Sequence, residues 1–416
     1  MSGRTENLSA RERLAALFDA DTFVETDRLT ASCGAVTGFG YVDGMPVYAF
    51  AQDHAVVDGA VGAAQAQKIA RVYEQAAQNG APLVGVFDSD GARLSEGAAV
   101  MDAIADILHR SHELSGVVPQ IAVVAGACVG SAALMAAAAD VVIAVEGADY
   151  YLGVGSAAGV PDMTVCCDKK AMETVRTLLS YLPQNNLEAP VAFEGGVGGA
   201  AATATAGAAA MVADEGSLLA LSGAAAFARV DGAVCGMVTL CGDELSDVCA
   251  PAARFVRLCD SFSIPVVTFV DAAGFAGLQD AAKLTQAYAE VTSPKLSVIT
   301  GRAYGAVYIA LAGKNTGADA VLAWTEAVIS PLAPAAAVEL FWQDRLKAMK
   351  DPATERAALA REYAAGECSA QAAAEQGLVS DVVAPAETRE RVIAYLNMMA
   401  GKRATHLPRK HANLQL

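Results

Sequence analysis

Two kinds of apolar pattern alternate along the chain. Short unbroken runs, LVGVF from Leu83 to Phe87 and VVTFV from Val266 to Val270, have the length and β-branched content of strands covered on both faces of a parallel sheet. Between such runs lie longer stretches in which a polar side faces an alanine-rich side. The stretch from Val61 to Asn79, with Gln67, Lys68, Arg71 and Glu74 on the polar side, predicts an amphipathic helix. The run from Ile121 to Val145 is apolar apart from Ser131 and Asp140 and is long enough to raise the question of a membrane span. Pro119 precedes it and Gly126 and Gly130 interrupt it, so it predicts a buried strand, a turn and a helix instead.

The same succession occurs twice. APLVGVFDSDGARL from Ala81 resembles IPVVTFVDAAGFAGL from Ile264, with Pro82 matching Pro265 and Asp88 matching Asp271 at a displacement of 183. VPQIAVVAGACVGSAAL from Val118 resembles SPKLSVITGRAYGAVYI from Ser293, with Gly126 matching Gly301 and Gly130 matching Gly305 at a displacement of 175. Upstream, GYVDGMPVYAF from Gly40 resembles ARVDGAVCGMV from Ala228, and Asp43-Gly44 and Asp231-Gly232 both read as type I′ hairpin turns. Each half is therefore expected to run hairpin, helix, buried strand, loop, helix, buried strand, glycine turn, helix, an α/β architecture. The boundary is expected between Pro183 and Gly223, where EGGVGGAAATATAGAAAM is low in complexity. This tract reads either as a linker or as a short alanine-rich helix starting after Gly207. We divide the chain near residue 216, giving halves 1–215 and 216–416. Asp344 to Tyr363 reads as a charged helical stretch, and the basic end KRATHLPRKHANLQL is expected on a surface or against a partner subunit.

Composition narrows the function. The net charge of −17 and the lack of clustered Lys and Arg exclude a nucleic-acid partner, though not a small anionic ligand, which a few local cations can hold. The nine cysteines include one adjacent pair, Cys166-Cys167, and no C-x-x-C, so reduced cytosolic thiols are expected and no metal. Met1 to Asp19 lacks the apolar core of a signal peptide.

The candidate chemistry lies in the duplicated turn. In both halves a buried strand runs into small residues that open a helix, at Gly130-Ser131 and at Gly305-Ala306, and the first turn of such a helix presents unpaired backbone N–H groups to whatever sits in front. Close helix–strand packing explains one such turn; two at equivalent positions favour an oxyanion site.

These residues carry a resemblance. ARERLAALFDADTFVETD, GAVTGFGYVDG, AQDHAVVDGAVGAAQAQKI, DSDGARLSEG, VPQIAVVAGACVGSAAL, FARVDG, RFVRLCDSFSIPVVTFVDAAGF, SPKLSVITGRAYGAVY and RKHANLQL, in this order, resemble the carboxyltransferase subunits of biotin-dependent acyl-CoA carboxylases and decarboxylases. The resemblance implies two tandem crotonase-like ββα-superhelix halves, the first binding acyl-CoA and the second carboxybiotin, with the active site shared between subunits of a dimer or of a ring of six. It implies that Gly130 and Ser131 offer N–H groups to the thioester carbonyl and that Gly305, Ala306 and Val307 do so for the biotin ureido oxygen. Gly91, Ala92, Arg93 and Ile309 become substrate-binding residues, and Gly274 and Phe275 cofactor-binding ones. The implied partners are a coenzyme A thioester, a separate biotin carboxyl carrier protein, and a biotin carboxylase or a membrane decarboxylase subunit. The implied location is the cytoplasm, or a membrane surface through that partner.

The chain departs from the family pattern in several places. Ser131 and Ala306 stand where the family has second glycines, and alanine disfavours a positive φ. The segment after Asp271 is short, ISPLAPAAAVEL lacks the usual glycines, and Ile309 stands where many relatives have aspartate, which implies altered acyl preference. Asp88, Asp90 and Glu96 also read as paired carboxylates for acid/base work, Arg93 as a structural or phosphate-facing cation, and Lys68 and Arg71 as CoA-phosphate contacts or an exposed helix face. Ala348-Met349-Lys350 echoes a biotin-acceptor sequence within a charged helical run, where coincidence explains it. The function expected is transfer of a carboxyl group between carrier-borne biotin and the α-carbon of a small acyl-CoA. The alternatives are the α subunit of a sodium-pumping decarboxylase and a non-catalytic scaffold paralogue.

Overall fold

The computed structural model describes residues 8–30, 33–221, 223–347 and 352–413. The chain separates into two compact units, residues 1–191 and 192–416. In the first unit, helix α1 (Ala10–Leu17) precedes the edge strand β1 (Val24–Thr26) and the hairpin β2 (Ala35–Val42) and β3 (Met45–Gln52). Helix α2 (Ala63–Asn79) leads to β4 (Leu83–Ser89), α3 (Ala99–Leu114) to β5 (Gln120–Val129) and α4 (Ser131–Ala137) to β6 (Val141–Val145). The short strands β7 (Asp149–Tyr151) and β8 (Met163–Val165) and helix α5 (Asp168–Leu179) follow.

The sheet order is β1-β2-β3-β4-β5-β6-β8, antiparallel up to β3 and parallel beyond. Strand β5 divides its partners: Ile121–Val124 pair with Val141–Ala144 of β6, and Ala127–Val129 pair with Asp149–Tyr151 of β7. The expected strand, turn and helix within Ile121–Val145 are all present, and no described helix is long and apolar enough to cross a membrane.

The second unit repeats this plan. It holds α6 (Thr205–Val212), β9 (Leu219–Ala220), the hairpin β10 (Ala225–Val230) and β11 (Ala233–Leu245), α7 (Cys249–Ser261), β12 (Val266–Phe275), α8 (Leu278–Glu290), β13 (Lys295–Tyr304), α9 (Ala306–Leu311), β14 (Ala320–Trp324) and β15 (Val328–Ser330). Strand β13 divides as β5 does, Leu296–Ile299 pairing with β14 and Arg302–Tyr304 with β15. After β15 the halves differ. Helices α10 (Pro334–Phe341), α11 (Gln343–Lys347), α12 (Pro352–Ala365) and α13 (Ala370–Glu375) intervene before β16 (Asp381–Val383) and α14 (Thr388–Met399). The expected charged helix from Asp344 to Tyr363 falls on α11 and α12, while Ala348-Met349-Lys350 lie outside the described residues.

Both hairpins turn as their sequences predict. Asp43 and Gly44 have φ of 50° and 78°, and Asp231 and Gly232 have 52° and 79°, the paired positive values of a type I′ turn. A carboxylate holds each turn. The N–H groups of Asp43 and Gly44 donate to Asp19 at 3.1 and 2.9 Å, and those of Asp231 and Gly232 donate to Asp214 at 3.0 and 2.8 Å. An arginine then ties each carboxylate to the end of the preceding helix: Arg176 binds Asp19 and the Leu17 carbonyl, and Arg389 binds Asp214 and the Val212 carbonyl. This brace explains why the division falls at Val191 and Ala192 rather than near 216, since α6 and Asp214 belong to the second hairpin. The alanine-rich tract forms a helix, beginning at Thr205 rather than after Gly207.

One expectation on α2 is overturned. Lys68 is buried, its stem lying against the sheet and its amine donating to the Ala35 carbonyl at 2.9 Å, so it meets neither phosphate nor solvent. Arg71 is exposed and pairs with Asp27 at 3.0 Å.

Candidate active site

Each glycine turn is built in the same way. Gly130 has φ 61° and ψ −122°, and Gly305 has φ 47° and ψ −112°, so a residue with a side chain would be strained at either position. The following residues, Ser131 and Ala306, are already the first residues of α4 and α9 and carry no positive φ. Loss of the family's second glycine therefore costs the backbone nothing. The glycine N–H groups are committed: Gly130 donates to the Tyr151 carbonyl at 3.0 Å and Gly305 to the Ser330 carbonyl at 2.9 Å. The amides without an intrahelical acceptor accordingly begin at Ser131 and at Ala306.

A cavity of about 670 Å³ opens at the first turn, with Gly130, Ser131 and Leu134 on one side and Gly91, Ala92 and Arg93 on the other. Met101, Ile104 and Leu108 of α3 give it an apolar wall. Arg93 pairs with Glu96 at 3.2 Å and donates to the Ala60 carbonyl at 3.4 Å. The hydroxyl oxygen of Ser131 is covered and meets no hydrogen-bond partner among the described residues. A second cavity, about 660 Å³, lies at the other turn and is lined by Gly305, Tyr308, Ile309 and Ser330, with Tyr363 and Cys368 from the segment that has no counterpart in the first half.

The site residues expected from sequence thus divide into two sets. Gly91, Ala92, Arg93, Gly130 and Ser131 surround the first cavity, and Gly305 and Ile309 line the second. Ala306 and Val307 form the first turn of α9 without lining it. Gly274 and Phe275 continue β12, paired with Glu244 and Leu245 of the long strand β11, and do not line that cavity.

The three carboxylates considered for acid/base work are engaged separately. Asp88 pairs with Arg13 at 2.8 Å and accepts the Ala127 N–H at 3.2 Å. Glu96 accepts the Ala63 N–H at 2.7 Å, at the N-terminus of α2, and Asp90 lies 3.6 Å from His54. Burial, with Asp88 adding to it, pushes the Cys128 thiol up to about 12, so this cysteine two residues before the turn stays protonated and is no nucleophile. Among the described residues no group of three or more His, Cys, Asp or Glu side chains converges to hold a metal ion.

Sequence reasoning missed the second-half residues Ser330, Tyr363 and Cys368, which stand outside the repeated segments. It also missed Arg13, whose buried guanidinium joins Asp88 to Asp168 at 2.8 and 2.7 Å. An arginine on the otherwise apolar side of α1, beside Ala10, Leu14 and Leu17, was the signal.

The sequence profile of the carboxyl transferase domain matches residues 4–158 and 220–414. The propionyl-CoA carboxylase carboxyltransferase subunit of Haloferax mediterranei is 33% identical over 98% of this chain and 93% of its own length. Methylmalonyl-CoA decarboxylase subunit alpha of Propionigenium modestum is 33% identical over the same shares. The crystal structure of transcarboxylase 12S, a hexamer with methylmalonyl-CoA and methylmalonic acid bound, superposes with a TM-score of 0.90 at 31% identity, covering 99% of this chain and 92% of that one. The chain, with its two tandem crotonase-like halves, belongs to the carboxyltransferase family of the biotin-dependent acyl-CoA carboxylases and decarboxylases.

Proposed function

We propose that this chain moves a carboxyl group between biotin on a separate carrier protein and the α-carbon of a small acyl-CoA. The observation that carries the reading is the pair of equivalent turns, each with uncommitted first-turn amides and each opening on a cavity of similar size. Acyl-CoA takes the first cavity, where the amides from Ser131 onward face the thioester oxygen and stabilise the negative charge that develops there as the α-carbon gains or loses its carboxyl group. Arg93 helps to fix the substrate at the opposite wall. No side-chain nucleophile is required, and the protonated Cys128 offers none.

The second cavity suits a compact, largely apolar group with one polar end, since Ile309, Ile329, Ala372, Ala373 and Leu378 line it beside a few polar atoms. Carrier-borne biotin supplies the carboxyl group or accepts it. In the chain itself, Tyr308, anchored to the Leu378 carbonyl at 2.8 Å, keeps the wall of this cavity in place beside the Gly305 turn. A biotin carboxylase or a membrane decarboxylase subunit then sets the direction. The equal likenesses to a propionyl-CoA carboxylase subunit and to methylmalonyl-CoA decarboxylase subunit alpha accord with either. The protein is proposed to work as a homo-oligomer.

The test is to incubate the purified chain with malonyl-CoA or methylmalonyl-CoA and free biotin. Biotin-dependent decarboxylation is expected, together with acyl-CoA binding by calorimetry and a mass above one subunit in light scattering. Acyl-CoA binding without turnover would favour the scaffold reading, and absence of both would overturn the function.

A further inference from the structure

Two thiols in the first half take no part in carboxyl transfer. Cys166 and Cys167 join the edge strand β8 to helix α5, with Cys167 just before the first helical residue and Cys166 exposed beside it. Their sulfurs lie 3.8 Å apart, with the Cys166 thiol donating toward the Cys167 sulfur. Other cysteines of the chain are placed differently. Burial pushes Cys128, Cys235 and Cys249 up to about 12 and carries Cys259 well above its ordinary value, so these four stay protonated and hidden. Cys241 is exposed but has no cysteine next to it along the chain.

Adjacency decides the character of a bond between the two sulfurs. Disulfides ordinarily join residues whose Cα atoms stand roughly 4.4–6.8 Å apart, whereas neighbours across a trans peptide stand only about 3.8 Å apart. The ring between neighbours is therefore strained, and a strained disulfide is labile and easily reduced. It also closes no loop of the unfolded chain, so it brings none of the stabilisation that a cross-link between distant residues does. Its effect on the native state is distortion of the Cys166-Cys167 peptide.

That peptide begins a line of contacts. The Cys167 carbonyl accepts the Ala171 N–H at 3.0 Å in the first turn of α5. Asp168, the first residue of α5, is buried and accepts Arg13 Nε at 2.7 Å. Arg13 in turn reaches Asp88 at 2.8 Å, and Asp88 accepts the N–H of Ala127 on the strand that leads to Gly130. To bond, the sulfurs must close from 3.8 Å to about 2.0 Å, and the start of α5 moves with them.

We propose that Cys166 and Cys167 are a reversible modification site for low-molecular-weight disulfides such as oxidised glutathione, which convert the pair to a vicinal disulfide that loosens the start of α5. One cysteine, as thiolate, attacks the glutathione disulfide; a mixed disulfide forms and one glutathione thiolate leaves. The second cysteine, as thiolate, attacks the protein sulfur of that mixed disulfide, and the second glutathione leaves. The two protein thiols give up two electrons and two protons, which the oxidised glutathione takes up as two glutathione thiols. Excess reduced glutathione reverses both steps.

The test incubates the full chain with oxidised glutathione at mildly alkaline pH and locates the products by peptide mass mapping without reduction. The peptide carrying Cys166 and Cys167 should lose two hydrogen atoms and carry no glutathionyl group. Cys166→Ser and Cys167→Ser should each hold the glutathionyl group on the cysteine that remains. The oxidised parent should melt roughly 2–4 °C below the reduced parent. The double variant Cys166→Ser with Cys167→Ser, which keeps Cys241, should show no such shift, and excess reduced glutathione should return the parent to its first value.

A lasting glutathionyl adduct on Cys166 or Cys167 of the parent, a pair left as free thiols, or either cysteine bonded elsewhere in the chain would each overturn the proposal. So would an oxidised parent that melts no lower than the reduced one, or a bond that excess reduced glutathione leaves intact. Should a serine variant not fold, the map and the melting curves of the parent decide alone.

Discussion

Asp88 and Asp271 occupy the same place in the two halves, yet their charges are met differently. In both, the carboxylate accepts the N–H of the residue after the equivalent glycine and packs on that glycine's Cα, where a Cβ would lie 2.0 Å from Asp88 Oδ1 at Gly126 and 2.5 Å from Asp271 Cγ at Gly301. The cation comes from α1 in the first half, buried and shared with Asp168. In the second it comes from the strand itself and is partly exposed. The backbone arrangement is the constraint that both halves keep, and the counter-ion is free to enter from any element that reaches the carboxylate.

This contrast orders the expected effects of substitution. Arg13→Met removes the cation that bridges the buried Asp168 and the partly buried Asp88 and should cost about 3–5 kcal/mol of stability, read from urea denaturation. Gly126→Ala forces a carboxylate locked by Arg13 to move and should cost roughly 1–3 kcal/mol. Gly301→Ala should cost less, because Asp271 has room to give; the reverse order would break the comparison. Arg302→Met should cost only about 1 kcal/mol, since the pairs it breaks are open to solvent, Asp243 being 88% exposed.

A further difference separates the halves by pH. Gln120 and Lys295 stand at equivalent positions, their N–H groups donating to Asp140 at 2.9 Å and Asp319 at 2.7 Å. Gln120 is neutral and satisfied by Ser111, at 2.7 and 2.9 Å. Burial, and then the charge of Lys402, push Lys295 down to about 8 from 10.5. Between these values the unfolded chain holds more protons than the folded one, so stability should rise with pH from about 8 to 10.5; below 8 the cost of the buried ammonium is fully present and this group adds no slope. Lys295→Gln, which copies the first half, should flatten that rise, and parallel curves for variant and parent would contradict it.

The parts of this molecule that were legible in its sequence are those specified within a dozen residues. The buried runs, the Asp-Gly turns and the Gly130 and Gly305 turns each declare a backbone conformation through local residue type. The Asp19 and Asp214 braces were not legible, because each is a single carboxylate between dissimilar helices whose arginine lies far along the chain, Arg176 at a separation of 157 residues and Arg389 at 175. Lys68 misled because a four-carbon stem lets a charged residue sit on the buried side of a helix. The strand at Gly274 and Phe275 was not legible either, because β11 runs to Leu245 and pairs with β12 through a polar segment, CGDEL, that has no strand-like alternation.

The central claim is that the backbone amide of Ser131 holds the charge on the thioester oxygen. Biotin-dependent decarboxylation of malonyl-CoA by Ser131→Pro and Ser131→Ala measures this directly. Position 131 is the first residue of α4, where proline is tolerated, so Ser131→Pro should keep its circular dichroism and mass while losing about 10²–10³ in rate. Ser131→Ala removes a hydroxyl that already lacks a partner and should stay within about a few-fold of the parent. A Ser131→Pro variant as fast as the parent would show that the turn serves packing alone and would contradict the account.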